Sequence, residues 1–288
     1  MRSFSFTMHR FALFALALIV SHAVAAKAPF LWEIEKDGRA SHIMGTVHSS
    51  HPLVREIPDP VFEALRNSVV FLPELELSPQ NIGRMLAAAF DWEGSRLEER
   101  LPEELYVRVR DAVRQLGLPE LMLRNLSFEM LPFLLAQPPG ENFTQVIDVQ
   151  LYQKARAHDV EVVALETIEE QLDVFADLDE ATTVRLIENA LEEIEEGYPS
   201  FRELIETYAT GDADAVYALV RELGKDIPEA FHDALLNERN KRIAERALPH
   251  LDEGGAFIAV GLAHLLGDDG IIALLREQGY SVERIPAD

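Results

Sequence analysis

Two histidines in this chain each stand three residues after a glycine: His48 in "IMGTVH" (Ile43–His48) and His264 in "AVGLAHL" (Ala259–Leu265). Each glycine ends an apolar, strand-like run. It is expected to let the backbone leave a sheet sharply, through angles other residues avoid, and so to set its histidine just beyond the strand end. In α/β sheets that edge is where ligands bind. Two imidazoles from distant parts of the chain, joined by a carboxylate, form a ligand set for a hydrolytic divalent ion that keeps one position open for water. The carboxylate is expected from "FLPELEL" (Phe71–Leu77), where Glu74 and Glu76 lie two apart and share one face of a strand. Burying such a group unpaired is costly, and a metal or an arginine would neutralise it. Spacing alone leaves open which of Glu74 and Glu76 faces the site. Glu166 leaves the run "VEVVALE" (Val160–Glu166) in the same way. The chain has no cysteine, which excludes thiolate ligands and disulfides.

Other polar residues near these motifs are read as structural. His42 is expected to face solvent from a strand, and His51, before Pro52, to be a loop residue or a substrate contact. Asp148 in "VIDVQL" is read as a core cap or pair, and Asn240 as a surface helix residue. Asp268 and Asp269 are expected to start the last helix.

The elements that must position these groups follow from periodicity and turn chemistry. Alternation over Leu31–Glu35, the dipeptide Asp37-Gly38 and a second apolar run from Ala40 to Met44 predict a β-hairpin. "IPDPVFEALRNS" predicts a short helix with Asp59 as N-cap and Pro60 at its first position. "VVFLPELEL" (Val69–Leu77) predicts a strand that ends or bulges at Pro73. Helical pattern then runs from Ser78 to about Pro139, including Leu101–Gly117, and a further amphipathic helix over Gln145–Asp159 feeds a strand at Val160–Glu166. More helices are expected over Ile168–Ala176, Glu180–Glu196, Ser200–Tyr208, Asp212–Leu223 and Ile227–Leu248. Strand returns at Ala256–Gly261, followed by a helix over Asp268–Gly279 and a final strand in "YSVERI". Strands at both ends with helices between them predict an α/β (α+β) fold, a central mixed sheet shared by the N- and C-terminal segments. Residues 27–288 are expected to form one domain, with helical insertions at about 78–145 and 168–250.

Composition narrows the function classes. The first 26 residues carry the marks of a cleaved secretory signal: basic Arg2, His9 and Arg10, the apolar run Phe11–Val20 and the small residues Ala23–Ala26. No cysteine follows for a lipid anchor, and the apolar run is short for a membrane span. A periplasmic or secreted location is therefore expected, with no stable membrane anchor after cleavage. The formal net charge is −24. Phosphate backbones and anionic lipid would repel such a chain, so nucleic acid is not an expected partner. The acidic stretch "NALEEIEEGYP" (Asn189–Pro199) reads as a solvated helix face.

Taken in order, "LWEIEKDGRASHIMGTVHSSHP", "VVFLPELEL", "VIDVQLYQKARAHDVEVVALETIEEQL", "YATGDADAV", "LNERNKRIAERAL" and "FIAVGLAHLLGDDGIIALLREQGYSVERI" resemble the blocks of the TraB/GumN family, which includes the Tiki metalloproteases. The resemblance covers nearly all of the chain after the leader. It implies a fold similar to the erythromycin esterase and ChaN-like proteins, a central sheet ringed by helices, and a metal-dependent hydrolase site. Carried over by position, His48 and His264 match the motif histidines, Glu74 the strand glutamate and Arg239 the arginine of the "ERN" segment. Pro73 departs from the pattern and keeps Glu76 open as the alternative. The expected chemistry uses a divalent ion (zinc, manganese or cobalt) on His48, His264 and Glu74. Glu74 or Glu166 would accept the proton from water, and Arg239 would stabilise the oxyanion. The expected substrate is a peptide or other small polar molecule. The alternative is a non-catalytic periplasmic binding protein for a peptide, haem or saccharide.

Overall fold

Asp37 and Gly38 both take positive φ (54° and 76°), the geometry that turns Leu31–Lys36 (β1) back onto Arg39–Thr46 (β2) as an antiparallel hairpin. The computed structural model describes residues 29–286 apart from 94, 95, 116 and 118, so the leader segment lies outside the described residues. Four further strands complete one mixed sheet: Val70–Pro73 (β3), Glu161–Val162 (β4), Ala256–Gly261 (β5) and Ser281–Arg284 (β6), in the order β4-β3-β5-β2-β1-β6. The β4, β3, β5 and β2 strands are parallel neighbours, so their C-terminal ends share one edge of the sheet. The first and last strands of the chain, β1 and β6, pair antiparallel at the other side.

The helices are Asp59–Arg66 (α1), Pro79–Ala88 (α2), Leu97–Arg100 (α3), Glu103–Gln115 (α4), Glu120–Leu123 (α5), Leu131–Leu135 (α6) and Ile147–Ala157 (α7). The second half adds Ile168–Ala176 (α8), Glu180–Glu196 (α9), Pro199–Thr210 (α10), Ala213–Leu223 (α11), Glu229–His232 (α12), Glu238–Glu253 (α13) and Ile271–Glu277 (α14). No described helix is long and apolar enough to cross a membrane.

Both faces of the central strands are covered. Ala256, Ile258 and Val260 of β5 join the cluster packed beneath α10, α11, α13 and α14, while Phe257 and Ala259 face the opposite cluster with α1 and α7. Burial on two sides is why β5 reads as an unbroken apolar run rather than an alternation. Each large side chain buried there, such as Phe257 or Ile258, stabilises the fold by about 1.5–3 kcal/mol before entropy is counted. A third cluster, around Leu97, Val109, Leu131 and Ile187, holds α3 to α6 and α9 together away from the sheet.

Several expected boundaries move. Pro58, not Asp59, is the N-cap of α1, and no side chain caps it; Asp59 is already helical and Pro60 occupies the first turn. Only Glu161 and Val162 of the expected Val160–Glu166 strand pair as β4, although the N–H groups of Val163, Leu165 and Glu166 still donate to Phe71, Pro73 and Glu74 carbonyls. The strand from Val69 stops at Pro73, whose ring leaves no N–H to continue the ladder. The long helix expected over Ile227–Leu248 is present and runs without a gap from Glu229 to Glu253, with a π-helical turn at Asp233–Asn237 between α12 and α13. Asp268 and Asp269 do not start α14, which begins at Ile271 after Gly270.

Candidate active site

The shared sheet edge delivers the candidate residues in strand order. Glu166 follows β4, Glu74 follows β3, His264 follows β5 and His48 follows β2. Parallel pairing of Thr46 with Gly261 and of Pro73 with Ala259 brings these exits level. Gly261 lies at the centre. A β-carbon built there would stand 3.5 Å from Glu74 Oε1, 3.6 Å from His264 Cδ2 and 3.9 Å from His48 Nε2. Two imidazoles and a carboxylate thus lie near one point, although the two histidines are more than two hundred positions apart in the chain.

The glycines serve this convergence by their size. Neither Gly45 nor Gly261 has positive φ among the described residues, contrary to the expectation of special backbone angles. A β-carbon on Gly45 would meet the Cα and Cβ of Leu262 at 3.1 Å, so glycine is needed for β2 and the turn after β5 to approach. The Gly45 carbonyl also accepts the buried Tyr208 hydroxyl at 2.8 Å.

Each imidazole is fixed through Nδ1. His48 Nδ1 meets Asp148 Oδ2 at 2.9 Å, and the other Asp148 oxygen accepts the Thr46 hydroxyl at 2.7 Å. Asp148 lies in the first turn of α7 and is therefore a partner of His48 rather than a core cap. His264 Nδ1 meets Asn240 Oδ1 at 2.6 Å. The Asn240 amide nitrogen donates to the Asp269 carbonyl at 2.9 Å, which fixes the amide orientation and makes His264 Nδ1 the donor. Asn240 is 2% exposed, so the expectation of a surface helix residue is overturned. When the rings are neutral, engagement of both Nδ1 atoms leaves the lone pairs on Nε2, the arrangement by which metal-ligating histidines are oriented, and His48 must release a proton to reach it.

Glu74 is bonded on both oxygens. Oε1 accepts the Gly261 N–H at 2.6 Å, and Oε2 accepts Arg239 Nη2 at 3.0 Å and Gln171 Nε2 at 3.2 Å. Glu76 is exposed and its side chain joins none of these bonds. Arg239 is buried and lies between two glutamates, giving 2.6 Å from Nη2 to Glu166 Oε2 and 2.9 Å from Nε to Glu166 Oε1; its Nη1 donates to the Leu235 carbonyl. Glu166 also takes Arg242 Nη2 at 3.2 Å. Paired cations compensate a carboxylate that would otherwise be too costly to bury.

The electrostatics follow from this packing. Burial alone would raise the Glu74 carboxyl; the His264 and His48 rings, the Arg239 guanidinium and the Gly261 N–H outweigh it and hold it at about 2. Burial lowers His264, which favours its neutral form. The Asp148 charge raises His48 to about 9, against some desolvation. The His48 side chain is 63% exposed, so solvent screening blunts that pull. The site is therefore open to solvent at His48 and closed at His264.

The two bystander histidines stay apart from this centre. His42 is half-buried in β2 opposite Glu33 rather than solvent-facing, and burial lowers its pKa. His51 is exposed, with its ring accepting the Leu53 N–H. The loop between them is tied down by Glu141. Its Oε1 accepts the Ser49 hydroxyl at 3.0 Å and its Oε2 the Ser50 hydroxyl at 2.7 Å. Asp148, Asn240, Gln171 and Glu141 all hold site residues across long stretches of chain, and no local pattern marks any of them. The one cue is the position of Asp148 in the first turn of α7, where a side chain can reach a sheet edge.

Two imidazoles and a carboxylate are donor types that a divalent ion takes, and here His48 Nε2, His264 Cδ2 and Glu74 Oε1 lie near Gly261, each ring oriented by a partner on Nδ1. Among the described residues no group of three or more His, Asp or Glu side chains is placed so that it could hold a metal ion.

Comparison with known proteins gives the family of the chain. Residues 30–284 match the TraB/PrgY/gumN family. The chain is 26% identical over 313 residues to the Danio rerio protein named Metalloprotease TIKI1, a match covering 90% of this chain and 63% of that relative. It is 24% identical to the Homo sapiens Metalloprotease TIKI1, over 90% of this chain and 62% of the relative. A shorter relative, the Uncharacterized protein YbaP of Shigella flexneri, is 22% identical over 83% of this chain and 88% of its own length. The chain thus spans about three fifths of the TIKI1 proteins it matches. No solved structure matches it. Over nearly all of its described length, the chain belongs to the TraB/PrgY/gumN family.

Proposed function

We propose that the chain is an exported, metal-dependent hydrolase that acts on peptides. The observation that carries the reading is the convergence of His48 Nε2, the His264 ring and Glu74 Oε1 around Gly261, with both Nδ1 atoms held by acceptors. The relatives named metalloproteases support it. Export rests on the leader, which lies outside the described residues.

His48 and His264 would hold the ion through Nε2, with Glu74 as the third donor. A divalent ion bound there would supply a polarising charge and lower the pKa of water toward neutrality. Asp148 and Asn240 keep the two rings in the donating tautomer. Arg239 and the Gly261 N–H keep Glu74 ionised. A carboxylate held at about 2 and bonded on both oxygens is a weak proton acceptor at neutral pH, so Glu74 acts as a fixed negative charge. Glu166, buried and bonded to two arginines, fixes Arg239 rather than moving a proton. Arg239 directs its nitrogens to carboxylates and the Leu235 carbonyl, and in this arrangement it positions Glu74. The exposed side of His48 is where a peptide carbonyl enters.

The test is metal analysis of the purified chain together with cleavage of a broad peptide panel, with and without added zinc, manganese or cobalt. The expected result is one equivalent of a divalent ion and metal-dependent cleavage, both lost in His48→Ala and His264→Ala chains that still fold. Metal retained by both variants would overturn the reading.

A further inference from the structure

Behind His264, on the side away from Gly261, lies a cleft of about 380 Å³. One wall is a single face of α11: Tyr217, Val220, Arg221 and Gly224, spaced three and four apart. The facing wall is the turn after β5, with Ala263, Leu266, Asp268 and Asp269. The π-helical turn supplies Leu236 and Asn237, and Asn240 closes the end nearest the candidate active site. Gly267 fits only because it has no side chain, since a β-carbon there would run into the Tyr217 hydroxyl.

The charges on these walls are opposite and do not pair with each other. Arg221 and Lys225 stand on one side and Asp268 and Asp269 on the other. Among the described residues, Lys225 pairs with Glu222 on its own helix and Arg221 lies over the Tyr217 ring, and no ion pair crosses the cleft. Opposite charges that line one cavity without meeting leave room for a molecule carrying both signs. Apolar Val220, Leu236 and Leu266 line the same cleft. A π-helical turn in the lining adds to the case, because such turns gather at functional sites.

We propose that this cleft is a second ligand site that takes a small zwitterion, a free amino acid or dipeptide. Its carboxylate goes to Arg221, its ammonium to Asp268 and Asp269, and its side chain to the apolar middle. The site is distinct from the candidate active site but linked to it. Asn240 lines the cleft, accepts from His264 Nδ1 and donates to the carbonyl of Asp269. A ligand that draws on Asp269 therefore acts on the bond that orients His264.

The test is calorimetric titration of the full chain with glycyl-leucine, its N-acetylated form and its C-terminal amide. It is run on the natural chain and on His48→Ala, Arg221→Ala and Asp268→Asn/Asp269→Asn chains. The expected result is saturable binding of the free dipeptide to the natural and His48→Ala chains alike. Either cap, or removal of either charged wall, should weaken binding about tenfold or more, because each removes a charge-assisted hydrogen bond. The dipeptide should also shift the His264 ring resonances in the His48→Ala chain. No binding, equal binding of a capped form, indifference to Arg221→Ala, or loss of binding in His48→Ala would each overturn the proposal. Since metal content plays no part in these readings, failure here leaves the hydrolase reading standing, and the converse also holds.

Discussion

At the scale of single residues, the site is a set of side chains each held by a second one. Asp148 contributes by fixing the His48 ring, because its carboxylate accepts from Nδ1 while Thr46 anchors the other oxygen. Partners of this kind are worth about 10–100-fold in metal affinity. We expect Asp148→Asn to weaken zinc binding, read by competition with a chelating dye, by about that factor while leaving the thermal unfolding temperature within a few degrees. Unchanged affinity would remove Asp148 from the site. Glu166 contributes differently. It is buried against Arg239 and Arg242, so Glu166→Ala strands two cations at the sheet edge. Breaking a buried pair from one side costs about 3–5 kcal/mol. The urea midpoint should fall accordingly, and a fall of less than about 1 kcal/mol would show that the arginines find solvent instead.

At the scale of elements, close approach and capping decide how the strand exits meet. β2 lies against the turn after β5 at Gly45, where a β-carbon would press on the backbone of Leu262. Gly45→Ala should therefore destabilise by about 1–3 kcal/mol through overpacking, measured by urea unfolding, and should loosen metal binding with it. α8 begins with a capping box in which Thr167 and Glu170 satisfy each other's backbone N–H groups. Glu170 also takes a bidentate grip from Arg246 of α13, with 2.8 Å and 2.7 Å contacts. The Arg246 hydrogen bonds chiefly hold the Glu170 carboxyl at about 2, below its usual 4.5. A depressed carboxylate adds stability that is fully present above about 4.5 and is lost as pH falls through about 2. The Arg246→Ala chain should accordingly show a shallower loss of urea stability between those pH values. An identical slope would mean the pairing is screened at this partly exposed site.

At the scale of the whole molecule, 50 acidic and 26 basic residues leave a net charge of −24, and self-repulsion opposes the compact state. Sodium chloride at a few hundred millimolar should therefore raise the midpoint of thermal unfolding, and a flat or falling response would show that local ion pairs outweigh the net field. The same scale decides the centre. The hairpin at Asp37-Gly38, the β5 run, Pro73 as a strand end and the mixed α/β class were all legible in the sequence, because each is set by local periodicity or by the dihedral limits of glycine and proline; the Gly-x-x-His pattern was visible too, but its glycines serve close approach rather than special angles. The sequence also held too much strand at Val160–Glu166, where only two residues pair regularly with β3, and its long helix over Ile227–Leu248 gave no sign of the π turn that precedes Arg239 and Asn240. What only the tertiary structure decided is the pairing of distant groups. Asp148 with His48, Asn240 with His264, Arg239 between Glu74 and Glu166, and Glu74 rather than Glu76 at Gly261 are contacts across tens to hundreds of residues. Sequence periodicity records which face of an element is apolar. It carries no record of which strand will lie beside which, and the parallel order β4-β3-β5-β2 is what places four separate chain segments at one edge.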